Sequence, residues 1–286
     1  MVNYKLDDNG WTVIIEDFDL RDATQEHINF IAKLISKHTC IVIKNQTLSL
    51  EDELRLIHLF KDPEEFYEES DPDYIHYHVP GTDGKITRVT GALNEHGVEG
   101  IAGFEDEMVW HCNHPYRKDR RPIVWLYGVY GTEGSRTSWN NNVYSYQDMD
   151  DDKKEFCKGL HAYMKGGLDQ NDSDQTDKTK GYVKEDYTPC IVHTNNAGQT
   201  GLFFPFLQIE RFKGMTVEES RPIIDELAEY TTQEKYCYHH DWQDGDLILS
   251  EQWLGIHKRW KFANIKNRLL HRAVFDFPEQ DYTDGV

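Results

Sequence analysis

Beyond about residue 85 the apolar residues come in short runs separated by turn residues. "PIVWLYGVYG", starting at Pro122, "DGDLILSEQW" and "RLLHRAVFDF" are of this kind, and Asp244-Gly245 at the head of the second is a tight-turn signal. Such runs read as strands, so this part of the chain predicts sheet. The first sixty residues read differently, as strand, helix, strand, helix. "WTVIIEDF" alternates, and "TCIVIKN" is a buried-strand run. "DATQEHINFIAKLISKH" places Ile28, Ile31, Leu34 and Ile35 on one helical face, with Asp22 and Gln25 as an expected capping box. "SLEDELRLIHLFKD" predicts a second helix capped by Ser49. "TVEESRPIIDELAEY" predicts a third, with Thr216 and Glu219 as its capping box.

No internal repeat or linker interrupts this pattern. The expectation is one domain over residues 1–286, a β-rich core with flanking helices. Residues 169–180, "DQNDSDQTDKTK", contain no apolar residue and read as a mobile surface insertion, either passive or a lid. The formal net charge of −20 argues against a phosphate-backbone partner, so no nucleic acid is expected. No apolar run reaches bilayer-spanning length and the N-terminus has no apolar signal region, so neither membrane nor export is expected. The five cysteines are scattered and form no C-x-x-C pair. They read as free thiols in a reducing cytoplasm.

The chemistry concentrates in "VWHCNHPY", residues 109–116. On an extended strand His111 and Asn113 share a face, and Glu107 joins them if the strand reaches back that far. His111 with the residue at 113 is a spacing that offers two ligands to one ion, and His257 in "SEQWLGIHKRW" is the candidate third. Two histidines and one carboxylate on one face of a metal leave three positions open for co-substrate and dioxygen, the facial triad of non-haem Fe(II) oxygenases. His239-His240 reads as solvent-facing, Trp110 and Trp139 as core aromatics, and His271 as structural.

Several stretches in order resemble the taurine dioxygenase (TauD/TfdA) branch of the 2-oxoglutarate-dependent oxygenases. These are "CIVIKNQTLSLEDELRLIHLF", "VWHCNHP", "GTEGSRTSWNNNVYSY", "DGDLILSEQWLGIHKRW" and "NRLLHRAVF", together spanning roughly residues 10 to 277. The resemblance implies a double-stranded β-helix (jelly roll) of antiparallel sheets. It implies Fe(II) held by His111 and His257, with 2-oxoglutarate and dioxygen as co-substrates. It also implies that Arg268 and Thr137 hold the distal carboxylate of 2-oxoglutarate, and that Arg272 holds an anionic group of a small-molecule substrate. A guanidinium suits a carboxylate because its fork makes two parallel hydrogen bonds. With Glu107 expected near an ammonium, the substrate reads as anionic or zwitterionic, and hydroxylation as its fate.

Asn113 departs from the family pattern, which has Asp or Glu there. The amide oxygen can ligate but is neutral. The readings are ligation through that oxygen, replacement by Glu107 (roughly 13 Å along a strand), a halide in the vacated position as in related halogenases, or a weakened site. A non-catalytic jelly-roll binding protein is the reading from a different class. Whether the chain forms a homo-oligomer is left open.

Overall fold

The short apolar runs do form strands. In chain order the N-terminal part contains β1 (Lys5–Leu6), β2 (Val13–Ile15), α1 (Gln25–His38), β3 (Cys40–Ile43), α2 (Leu50–Lys61) and β4 (Thr87–Val89). Then come β5 (Met108–His111), β6 (Ile123–Tyr130), β7 (Arg136–Asn140), α3 (Asn142–Gln147), α4 (Asp151–Lys158) and β8 (Ala162–Met164). The C-terminal part holds β9 (Val192–Thr194), β10 (Thr200–Leu202), β11 (Ile209–Phe212), α5 (Val217–Thr231), β12 (Cys237–Asp241), β13 (Leu247–Glu251), β14 (His257–Arg259) and β15 (Leu269–Phe275). The computed structural model describes residues 2–61, 74–118, 120–165, 183 and 185–283; the polar stretch 169–180 lies outside them.

A seven-stranded sheet has the order β1-β2-β3-β13-β6-β15-β4, and a four-stranded sheet the order β12-β7-β14-β5. The fold is mainly β with flanking helices and its sheets are antiparallel, with one exception. β2 and β3 pair in parallel, because α1 carries the chain back across the sheet between them.

Alternation along the strands divides the larger sheet's side chains between two cores. Ile41, Ile43, Leu247, Leu249, Trp125 and Phe275 pack with α1 (Ile28, Ile31, Leu34, Ile35) and α2 (Leu56, Ile57, Phe60). Val42, Val124, Leu126, Ile248, Leu270 and Val274 instead join Trp139 of β7 and, at the margin, Tyr238 of β12. The two sheets therefore face each other through this second core, and the even-numbered positions of β15 point into the space between them. Each large aliphatic side chain fully buried here contributes roughly 1.5–3 kcal/mol.

The helices start where local chemistry satisfies their first N–H groups. In α5 the reciprocal box is present, with Thr216 N–H donating to Glu219 (2.8 Å) and Glu219 N–H to Thr216 Oγ (3.2 Å). Ser49 and Asp52 make the same exchange at α2. At α1 the cap is Thr24 rather than Asp22. Asp22 sits in a preceding 3₁₀ turn, and His27 accepts the Thr24 N–H. α3 and α4, absent from the sequence reading, begin at Asn141 and Asp150, whose side chains accept N–H groups of their own first turns.

Two glycines are required by close approach. Gly245 (φ +87°) turns into β13 so tightly that a Cβ would lie 2.5 Å from Gln46 O. Gly131 (φ +66°) lets the turn after β6 lie against the Asn267–Arg268 backbone, where a Cβ would meet Asn267 O at 2.0 Å. All five cysteines are free, and among the described residues no helix is long and apolar enough to cross a membrane.

Candidate metal and co-substrate site

β5 and β14 are neighbours in the four-stranded sheet, and their register sets His111 directly opposite His257. The two rings lie 4.3 Å apart, centroid to centroid. On its other side His257 is paired with Trp139 of β7, whose ring stacks against it. Both histidines are buried. Burial pulls His111 down to about 4, with Arg272 and Arg259 adding repulsion, and holds His257 well below the usual imidazole range. Neutral imidazoles are what a metal needs. His111 Nδ1 is 2.7 Å from Val109 O, which fixes the ring and leaves Nε2 as the ligating atom.

Asn113 lies just past the end of β5, where no strand partner holds the chain. Two buried glutamines from elsewhere in the sequence do so instead. Gln208 accepts the Cys112 N–H (2.9 Å) and donates to Cys112 O (3.1 Å). Gln252 accepts the Asn113 N–H (2.8 Å) and donates to Arg121 O. The Asn113 side chain meets Arg272 of β15, whose Nη1 donates to Oδ1 at 3.0 Å. The structure therefore brings His111, His257, Asn113 and Arg272 to one place.

Arg268 immediately precedes β15. It is 1% exposed, yet its guanidinium has neither a hydrogen bond nor an ion pair among the described residues; its only close partner is the Phe262 ring, 5.4 Å away. Burial, with repulsion from Arg259, drives it down to about 9. Arg259, also buried, differs in that its two terminal nitrogens donate to the carbonyls of Ala102 (3.3 Å), Phe104 (2.7 Å) and Asp106 (2.7 Å). A buried guanidinium without an acceptor is costly unless an anion arrives from outside. Thr137 shares the inward face of the four-stranded sheet with His257, since Thr137 is paired with Arg259 and Trp139 with His257. Its Oγ accepts from Trp242 Nε1 (2.9 Å), so its own hydrogen is directed to another acceptor.

Glu107 does not join this group. Its carboxylate is 3.2 Å from Lys258 Nζ on the exposed outer side. The cause is a register shift in the β5–β14 pairing. Three residues of β14, His257 to Arg259, span four of β5, His111 to Met108. A bulge of this kind breaks the alternation that would have placed residue 107 on the face of His111. His240 is likewise not solvent-facing, being buried against Asp246 at 2.9 Å. His271 is structural as expected, held at 2.7 Å by Glu53 of α2 on the back of the larger sheet. Arg259, Gln208 and Gln252 carry no signal in sequence, because each acts on backbone groups supplied by distant segments.

Among the described residues no group of three or more His, Cys, Asp or Glu is placed to hold a metal, in keeping with an amide at position 113. Two neutral facing imidazoles and one neutral oxygen still make a donor set that fits a divalent ion with open positions. The waiting Arg268 fits the distal carboxylate of a 2-oxo diacid.

Comparisons with known proteins place the chain as a whole. The alpha-ketoglutarate-dependent 2,4-dichlorophenoxyacetate dioxygenase of Cupriavidus pinatubonensis is 21% identical over 267 residues, covering 91% of this chain and 92% of that protein. Pentalenolactone F synthase of Streptomyces arenae is 23% identical over 210 residues, 66% of this chain and 69% of its own. The crystal structure of AAD-2 in complex with Mn(II) and N-oxalylglycine superposes with a TM-score of 0.79 at 16% identity, covering 98% of this chain and 99% of that one. The model of the taurine catabolism dioxygenase TauD, TfdA family matches residues 6–274. The chain belongs to that family, and so to the dioxygenases that use Fe(II), 2-oxoglutarate and dioxygen.

Proposed function

We propose that residues 1–286 form one double-stranded β-helix domain that hydroxylates a small substrate carrying an anionic group. His111, His257 and the Asn113 oxygen hold the iron. Arg268, with the Thr137 hydroxyl, holds the distal carboxylate of 2-oxoglutarate, and Arg272 holds the substrate anion. The bound iron and 2-oxoglutarate, with dioxygen, supply the C–H oxidation; the protein's own groups bind, orient and exclude water. Neutral histidines ligate without first losing a proton. The inward face of the four-stranded sheet orients the co-substrate between Arg268 and the metal, while the aromatic wall of Trp139 keeps the surroundings dry. The carboxylate in the name of the Cupriavidus relative's substrate is consistent with a cation at Arg272. Glu107, turned outward, gives no support to an ammonium on the substrate.

The observations that carry this reading are two facing, neutral histidines and, separately, a buried Arg268 guanidinium without an acceptor among the described residues. The test is the visible spectrum of the protein with Fe(II) and 2-oxoglutarate under anaerobic conditions. A weak charge-transfer band is expected, lost in His257→Ala and weakened in Arg268→Ala. No band in either the native chain or Asn113→Asp would leave a jelly roll that only binds.

A further inference from the structure

A guanidinium only donates, so only the oxygen end of the Asn113 amide can face Arg272. The Nδ2 end is buried and has no hydrogen-bond partner among the described residues. Oδ1 is also the one atom of Asn113 that can bond to a metal. An aspartate at this position would offer one oxygen to the metal and the other to Arg272. The asparagine has a single oxygen, whose two lone pairs would have to serve both cations side by side with no negative charge between them to offset their repulsion. The guanidinium and a divalent ion therefore compete for one neutral atom. Arg272 belongs to β15 and Asn113 to the segment held by Gln208 and Gln252, so both backbones are fixed and only side chains need move.

We propose that Arg272 withholds Asn113 Oδ1 from the metal, and that the substrate's anionic group, by engaging the guanidinium, releases that oxygen to complete the metal site. This rests on the ligand assignment above and adds a coupling to it. Metal is held loosely by the two histidines until a carboxylate or sulfonate arrives, so the full donor set assembles only with substrate present.

The test is Mn(II) affinity, read by the loss of the free-ion EPR signal, in four full-length proteins: the native chain, Arg272→Met, Asn113→Asp and the double variant. Competition predicts that Arg272→Met tightens Mn(II) about tenfold in the native background and about twofold or less in the Asn113→Asp background, the difference being their coupling. Equal tightening in both backgrounds would mean that Arg272 acts only as a distant charge, and would overturn the proposal. Arg272→Gln serves as a second variant if the methionine variant melts early. Acetate is the probe for release. It should tighten Mn(II) binding in the native chain and have no effect in Arg272→Met. Tightening in both, or in neither, refutes release. If Mn(II) binding is instead unchanged in His257→Ala, the ligand assignment itself has failed. If it is lost there but ignores Arg272, only the coupling has failed.

Discussion

Replacing Arg268 by methionine should make the protein without 2-oxoglutarate more stable, although it removes a buried charge-bearing side chain. The guanidinium is 1% exposed, has no acceptor among the described residues, and is lowered to about 9, chiefly by burial. Burying that charge with no partner costs folding several kcal/mol. The sign follows from linkage. The folded chain holds that proton less tightly than the unfolded chain, so the destabilisation is fully present at neutral pH and eases only at strongly alkaline pH. Methionine has similar length and no charge, but loses contact with Phe262, so a net gain of about 2 kcal/mol is expected. For a chain of this size that corresponds to about 4 °C in the melting temperature. Ligand should reverse the order. With Mn(II) present, 2-oxoglutarate at a hundred times its dissociation constant should stabilise the native chain by about 2.7 kcal/mol and leave Arg268→Met unmoved. Differential scanning calorimetry at pH 7.5, with and without 2-oxoglutarate, reads both effects. A variant that melts several degrees lower yet still responds to 2-oxoglutarate would show that the guanidinium serves the fold, and would refute the assignment.

Three further outcomes are expected. Glu107→Gln should leave KM within about twofold and stability within ~1 kcal/mol, as befits an exposed ion pair; a large rise in KM, read by steady-state kinetics, would return Glu107 to the site. Glu53→Ala should cost about 3 kcal/mol by urea denaturation, since it strands His271 behind β15; a loss under 1 kcal/mol would show the pair to be dispensable. His111 is held near 4 when folded but titrates near 6.5 when unfolded. The unfolded chain therefore binds more protons in that window, and stability should fall as pH drops from 6.5 to 4. Melting curves of His111→Gln across that range should show a shallower fall, and parallel curves would refute the claim.

Much of this was legible in the sequence. Local signals located β3, β6, β13 and β15 and the start of α5, because strand alternation and a capping box need only neighbouring residues. His111 and His257 stand out from their spacing and residue type, Arg268 only through resemblance, and the fold buries all three. What failed depended on distant partners. Counting by twos placed Glu107 with His111, but the count is broken by pairing with β14, more than 140 residues away. His240 looked like a surface residue because the Asp246 that buries it lies beyond a turn. The parallel pairing of β2 and β3 is invisible in either strand alone. α3 and α4 are short, and their signals reduce to Asn141 and Asp150.

The two glutamines behind position 113 carry a consequence for substitution at that position. They grip the main chain at Cys112 and Asn113, through N–H and carbonyl groups that every residue except proline presents alike. The mounting is therefore indifferent to the side chain it carries. An acid, an amide or a smaller residue there would leave the main-chain mounting intact and change only what is offered to Arg272 across the gap.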